Sequence, residues 1–151
     1  GYRHSERLFS ERYLSVVRSD HPRLNLANVS LDSYTGEEHA LISTKGRVPG
    51  VVDKALEKMG KSRKVVLTLP YFSAAPAIIL RTDLIVTVPA HVAQNYVKHH
   101  ALRVFTPPVD VMPFDVMFAW SPRSMADPAL QWIRGQLLKI SQNLADKPPS
   151  R

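Results

Sequence analysis

The sequence predicts an α/β protein with a mostly parallel sheet, on three observations. Residues 64–88 hold two apolar runs of strand length, 65–69 and 84–88, flanking a short small-residue and aliphatic segment, 73–80, of helical character. A buried strand, a helix and a second buried strand in so short a stretch form a compact βαβ unit. From about Ala40 onward, strand-like and helix-like segments keep alternating. Finally, two proline-marked points, His21-Pro22 and Pro107-Pro108, bracket this block. That pattern points to a lobe of about residues 24–105 inserted between two strands that belong to something else.

Taken in order, residues 1–11 are polar apart from Tyr2, Leu8 and Phe9, and residues 13–17 form the first strand-like run. It stops at the turn cluster 18–22, where Pro22 cannot continue a ladder. Residues 24–31 make a polar connection, and Ser30 with Asp32 and Ser33 can cap one short helical turn. Residues 39–43 read as a strand. Pro49 stands where a helix begins and Gly60 where one ends, with Val51, Val52, Ala55, Leu56 and Met59 on one face. After the central unit, Pro89 begins a helix phased on Val92, Ala93, Tyr96 and Val97. Residues 102–105 are a strand, stopped by Thr106-Pro107-Pro108. Residues 114–120 are large and apolar, as in an inner strand. Asp127-Pro128 starts the last helix, whose Leu130, Ile133, Leu137, Ile140 and Leu144 form an amphipathic stripe, first a core face and second a dimer surface.

Composition narrows the function. The 151 residues (17.0 kDa) have room for one domain or two small lobes. Hydrophobic residues make up 44% and charged residues 22%, which describes an ordinary globular protein. No apolar run reaches membrane-spanning length, and the charged start of the chain carries no secretory signal. Cysteine is absent, which removes disulfides, thiolate catalysis and cysteine-based zinc sites, and is compatible with a cytoplasmic location. The net charge of +7 and pI near 9.9 favour anionic partners. The basic residues are scattered without interleaved aromatics, as on a solvated surface rather than a nucleic-acid patch.

Several short motifs then fall into a recognisable order. Residues 11–22 (ERYLSVVRSDHP) join an acidic lead-in, an apolar strand and an Asp-His-Pro turn. VVLTLPYF at 65–72, TDLIVTVP at 82–89, AWSPR at 119–123 and DPALQWIR at 127–134 follow. As an ordered set over about residues 8–140, they resemble the effector domain of the LysR-type transcriptional regulators. They are most similar to the branch of nodulation and aromatic-degradation regulators, which respond to aromatic or phenolic compounds. The resemblance implies a periplasmic-binding-protein-like (type 2) fold of two α/β lobes around a small-molecule cleft. Lobe II would be complete at 21–107, and lobe I partial, from 1–20 and 108–146. It also implies a winged helix-turn-helix and a linker helix in the full regulator. Both, with the start of lobe I, are expected outside this sequence, so no DNA-binding residue is assigned here.

Candidate site residues cluster at strand-to-helix junctions, where open α/β sheets place ligands. In the loop of residues 43–50, Ser43, Thr44 and Arg47 combine hydroxyls, a cation and nearby helix amides, a set suited to a carboxylate or nitro group. In the resembled family this loop borders the effector cleft; the alternative is a plain connecting loop with solvated charges. Its glycines do not form a phosphate loop. Tyr71 can stack on an aromatic effector and offer its hydroxyl, Ser73 can cap the following helix, and Phe72 beside them reads as core. Thr106 and Pro108 would line the cleft floor or serve as a stiff hinge. His91 and His99 lie eight apart on one helix, too far to share a metal ion, and no carboxylate completes a set. Ser43, Ser73 and Ser121 lack a nucleophile-elbow pattern, so no catalytic residue, cofactor or metal is assigned.

The reading is thus a regulatory, effector-sensing domain, not an enzyme. Ligand closure would shift lobe and oligomer geometry, and with it the DNA contacts of the absent module. Expected partners are a small aromatic carboxylate or phenol, DNA through the absent module, and further copies of the chain as a dimer or tetramer. The alternative is a solute-binding protein that delivers a small organic acid to a transporter.

Overall fold

The computed structural model describes residues 4–44, 46, 49–124 and 126–145. The chain divides into two compact units, residues 1–11 with 113–151 and residues 12–112. The proline-based reading put the change-over nine residues later at the first crossing, after residue 20. Hydrogen bonding shifts it, because β2 (Tyr13–Arg18) pairs on both sides with strands of the larger unit.

In the larger unit five strands lie in the order β4-β3-β5-β2-β6. They are β2, β3 (Glu38–Ile42), β4 (Lys64–Leu69), β5 (Ile85–Pro89) and β6 (Leu102–Phe105). β3 runs parallel to β4 and β5, whereas β2 is antiparallel to β5 and β6. The sheet is therefore parallel except for one reversed strand next to its centre. Apolar residues alternate between its faces as a strand requires. Val16, Val86 and Val88 pack with α3 (Ala75–Ile79) and α4 (Ala90–His99), while Val17, Ile85 and Phe105 pack with α1 (Leu31–Gly36) and α2 (Val51–Glu57). Both faces are covered, so the strands read as continuous apolar runs rather than alternating ones.

Local chemistry explains the helix ends. Ser30 Oγ accepts the Ser33 N–H at 3.1 Å and caps α1, as its spacing predicts. At the end of α2 the Gly60 N–H donates to the Glu57 carbonyl and the Lys61 N–H to that of Leu56, with Gly60 at φ +66 in the left-handed region. This is a Schellman closure, which glycine adopts without strain. The stripe on α2 is narrower than its spacing implied: Val52 and Leu56 are buried, but Val51 sits at its rim and Met59 lies past the helix end, and both are exposed. Around residues 73–80 a single 3-10 turn, Phe72–Ala74, precedes the short α3. Ser73 lies inside that turn and is not a cap, because the extended residue before the turn is Tyr71 (φ −137, ψ 142).

The smaller unit is a two-stranded antiparallel sheet, β1 (His4–Glu11) with β7 (Phe114–Trp120), on which α5 (Pro128–Ala145) packs against β1. The Asp127 carboxylate accepts the Ala129 N–H at 2.9 Å and caps α5 as expected. Arg134 pairs with Glu6 at 2.7 Å and places its guanidinium 5.4 Å from the centre of the Trp120 ring. Two expectations change. Among the described residues β7, whose composition suits an inner strand, pairs with β1 alone, and Phe114 and Met117 are exposed. On α5 the inward line runs through the half-buried Leu130 and Leu137 and the buried Ser141, so Ile133 and Ile140, turned off that line, are exposed. No described helix is long and apolar enough to cross a membrane.

A polar pair sits inside the α1/α2 side of the larger unit. His39 has no exposed surface; its Nε2–H donates to the Tyr34 carbonyl at 2.8 Å, and its ring meets that of Tyr34 edge-on at 4.7 Å. Burial holds His39 neutral and lowers its pKa to about 4. The unfolded chain binds a proton near the ordinary histidine value of about 6.5. It therefore carries more protons than the folded chain between these values, and stability is lost as pH falls through that window. The expected loss from this residue is about 3 kcal/mol between pH 6.5 and 4. Urea unfolding across that range checks it: the slope of stability against pH should flatten in His39→Gln.

Candidate functional site

Four strands of the larger unit point their carboxyl ends the same way, and β2 begins there. This edge carries the loop after β3, the turn after β4 and the chain after β6. The first two are neighbours because β3 and β4 pair, and the Ser43 N–H donates to the Leu69 carbonyl at 2.9 Å, tying the two strand ends together. Thr44 is exposed beside Ser43, and Gly46 turns the loop at φ +60, its N–H on the Ser43 carbonyl. Arg47 lies outside the described residues.

The loop leaves through a clamp. The Gly50 N–H donates to Asp53 Oδ2 at 2.7 Å, and Asp53 pairs with Arg63 at 2.7 Å. Arg63 is almost wholly buried, and its guanidinium also reaches His39 Nδ1 at 3.4 Å. Burial alone would raise the Asp53 pKa; the Arg63 guanidinium and the Gly50 amide outweigh it, and the carboxyl is held below its usual range.

At the turn after β4, Tyr71 is extended and 68% exposed. The carbonyl of Phe72 accepts the hydroxyl of Tyr96, a buried residue of α4 whose phenol burial pushes up to about 12. The backbone under Tyr71 is therefore fixed while its ring stays open to solvent. Phe72 is not core: 44% of it is exposed, because Ala75, Pro76 and Ile79 already fill the space beneath the turn. Ser73 is also exposed.

Ser43, Thr44, Tyr71, Phe72 and Ser73 thus share one stretch of the edge. Thr106 and Pro108 do not join them. They follow β6, and β5 and β2 lie between β3 and β6, so three strand spacings, about 14 Å, separate the two groups. A single-ring acid is shorter than that span. Thr106 and Pro108 instead line a cavity of about 480 Å³ with Arg12 and Tyr13. Neither Arg12 nor Tyr13 stands out in the sequence as a site residue. The only signal is their place between the polar residues 1–11 and the first apolar run, and it becomes legible once β2 is known to run antiparallel into this edge.

The opposite end of the sheet is occupied by ion pairs. Asp83 takes Arg18 at 2.8 Å and Arg23 at 3.0 Å, and Arg23 also pairs with Glu37 at 2.7 Å. Arg18 holds the Asp83 carboxyl below its usual range, and Arg23 does the same to Glu37. The His21 side chain, nearly all buried, hydrogen-bonds the Asp83 carbonyl through Nε2 at 2.9 Å, and its Nδ1 accepts the Arg23 and Leu24 amides. The Asp-His-Pro turn is thus a structural latch between β2 and the start of β5.

A family model described as the LysR substrate binding domain matches residues 3–141. The chain belongs to the LysR substrate-binding domain family. It is 31% identical over 134 residues to the transcriptional activator NagR of Ralstonia sp, covering 89% of this chain and 44% of that protein. Among solved structures, it is similar to the regulatory domain of MexT, a transcriptional activator in Pseudomonas aeruginosa (33% identity, TM-score 0.76, 92% of this chain and 64% of that one). It is likewise similar to a transcriptional regulator from Vibrio parahaemolyticus (31%, TM-score 0.82, 95% and 67%). The chain spans less than half the length of the curated relatives it matches. Those relatives are transcriptional regulators, so this LysR substrate-binding domain is a regulatory module rather than an enzyme, and the solute-binding reading is set aside. The fold is the periplasmic-binding-protein-like one that the resemblance implied.

The clamp at Asp53 is open to direct measurement. Asp53→Ala leaves Arg63 buried without its carboxylate, and the expected loss is about 3 kcal/mol or more in denaturant unfolding.

Proposed function

We propose that this LysR substrate-binding domain is the ligand-sensing part of a DNA-binding transcriptional regulator, and that a small aromatic or acidic effector binds at the carboxyl ends of β3 and β4. The observation that carries the reading is the exposed Tyr71 ring on a backbone anchored by Tyr96, at a strand end that the Ser43 N–H ties to the end of β3. Rigid support under an open aromatic side chain suits recognition, since little freedom is lost when a ligand stacks on it. In this role Tyr71 and Phe72 cover the ring of an effector, Ser43, Thr44 and Ser73 supply hydrogen bonds, and Arg47 supplies the charge for a carboxylate. Thr106 and Pro108 contribute from the β6 side to a longer ligand.

Signalling follows from population shift. The effector must favour one conformation of the regulator over another, since equal affinity for both would change nothing however tight the binding. The full regulator would act in the cytoplasm as a dimer or tetramer, with DNA contacted by a module outside this sequence.

Calorimetry with a panel of single-ring aromatic carboxylates and phenols tests the site. Tyr71→Ala removes the stacking face and the hydroxyl together, and its expected effect is a roughly tenfold or greater loss of affinity. Because Tyr71 is exposed, thermal unfolding should be unchanged within a degree or so. Equal affinity in both proteins would remove Tyr71 from the site.

A further inference from the structure

Between the end of β4 and the start of α3 the chain has little packing of its own. Leu69 and Ala75 are buried, but Pro70, Tyr71, Phe72 and Ser73 are all exposed and Ala74 is only half-buried. A stretch without packed side chains ordinarily moves, because keeping one conformation gains it little. Local hydrogen bonding is slight as well. The 3-10 turn is three residues long, the Ala74 N–H reaches the Tyr71 carbonyl at 3.3 Å, and α3 behind it has five residues and no side-chain cap.

One side chain reaches this turn from the core. Tyr96 of α4 is buried, and its ring belongs to the cluster that holds Leu69, Ala75 and Ile79. Its hydroxyl donates to the Phe72 carbonyl, which also takes the Ala75 N–H, so that one oxygen is fixed from two sides. Among the described residues no second side chain bonds the backbone of residues 70–74. Burial pushes the Tyr96 phenol up to about 12, so the hydroxyl keeps its proton and remains a donor at neutral pH. The ring supplies packing and the hydroxyl supplies the tie, and the two contributions can be separated by substitution.

We propose that Tyr96 is a positioning residue for the effector: through the Phe72 carbonyl its hydroxyl holds the exposed Tyr71 and Phe72 in the arrangement on which a planar ligand stacks. The proposal rests on the effector site read above, and it adds that affinity there is set in part by a hydroxyl beneath the turn that the ligand does not touch. A turn already ordered spares the ligand the cost of ordering it, which is the general advantage of a preorganised site. Without the tie, the same two aromatic side chains would remain exposed, but on a backbone that samples several conformations, and each binding event would have to select one of them.

Tyr96→Phe removes the hydroxyl and keeps the packed ring, and the full 151-residue chain is used throughout. Without ligand, backbone amide relaxation by NMR should show the order parameters of residues 71–74 falling from about 0.85 towards 0.6, with those of α4 and β5 unchanged. With benzoate and phenol as probes, calorimetry should show Tyr96→Phe binding roughly threefold or more weaker than the parent chain. That loss should shrink when Tyr71 is already Ala, because Tyr96 acts through the turn that carries Tyr71. A merely structural hydroxyl would lower the unfolding midpoint and leave both readouts alone. Unchanged order parameters at 71–74, or a loss of the same size with and without Tyr71, would overturn the role of Tyr96 and leave the effector site standing. Absence of binding by both probes, or binding indifferent to Tyr71→Ala, would remove the site itself and the role of Tyr96 with it.

Discussion

A line of polar contacts through the α1/α2 side of the larger unit sets the geometry of everything above it. It runs from the Gly50 amide to Asp53, from Asp53 to Arg63, from Arg63 to His39 and from His39 to the Tyr34 carbonyl. The Tyr34 hydroxyl, at the other end of that side chain, meets Thr87 at 2.9 Å, and Thr87 meets Ser15 at 2.7 Å. Six elements or their flanks are tied in this way: α2, the lead into β4, β3, α1, β5 and β2. Among the described residues no buried side-chain nitrogen or oxygen is left without a partner. A network of this kind in an apolar interior stabilises only when complete, so it selects one packing over its competitors. Ser43 is held at a strand end and Gly50 by this clamp, which is why their positions follow from the core rather than from the local sequence.

The two ends of the five-stranded sheet have divided their work. At the amino ends, Arg18, Arg23, Asp83 and Glu37 compensate one another, and their charges serve the fold. At the carboxyl ends, Tyr71 and Thr44 face solvent over anchored backbone. The same division holds generally in open α/β sheets, where helix amino termini and loops gather at the carboxyl edge.

Much of this was legible from residue order alone. Ser30 and Asp127 announce their helices because a capping oxygen works at fixed spacing, and Gly60 announces an end because few other residues tolerate φ near +66. The central βαβ unit was visible because strands covered on both faces are continuously apolar. Where the reading failed, the deciding partner was remote. β1 is too polar to look like a strand, and it becomes one only opposite β7. β7 looked internal by composition, yet exposure along it is set by how many neighbours it has. The short α3 hides behind a 3-10 turn that no capping pattern marks, which moved Ser73 out of the role its residue type suggested. Likewise Arg12 and Met59 meet at one cavity only after the whole larger unit has folded.

The reversed strand β2 has a bearing on how the chain reaches its native state. Its two neighbours, β5 and β6, arrive late: the Ser15 to Thr87 contact joins residues 72 apart in sequence, and β6 lies further on still. Closing loops of that length is entropically slow, and a domain dominated by such pairings folds more slowly than one built from local contacts. On a ribosome, the first apolar strand of the larger unit emerges well before either partner exists. Its run of buried residues, Leu14 to Val17, has no partner until β5 has been made and is paired on one side only until Phe105 follows. The time for which an apolar strand stands unpaired during synthesis is thus set by the placement of a single strand.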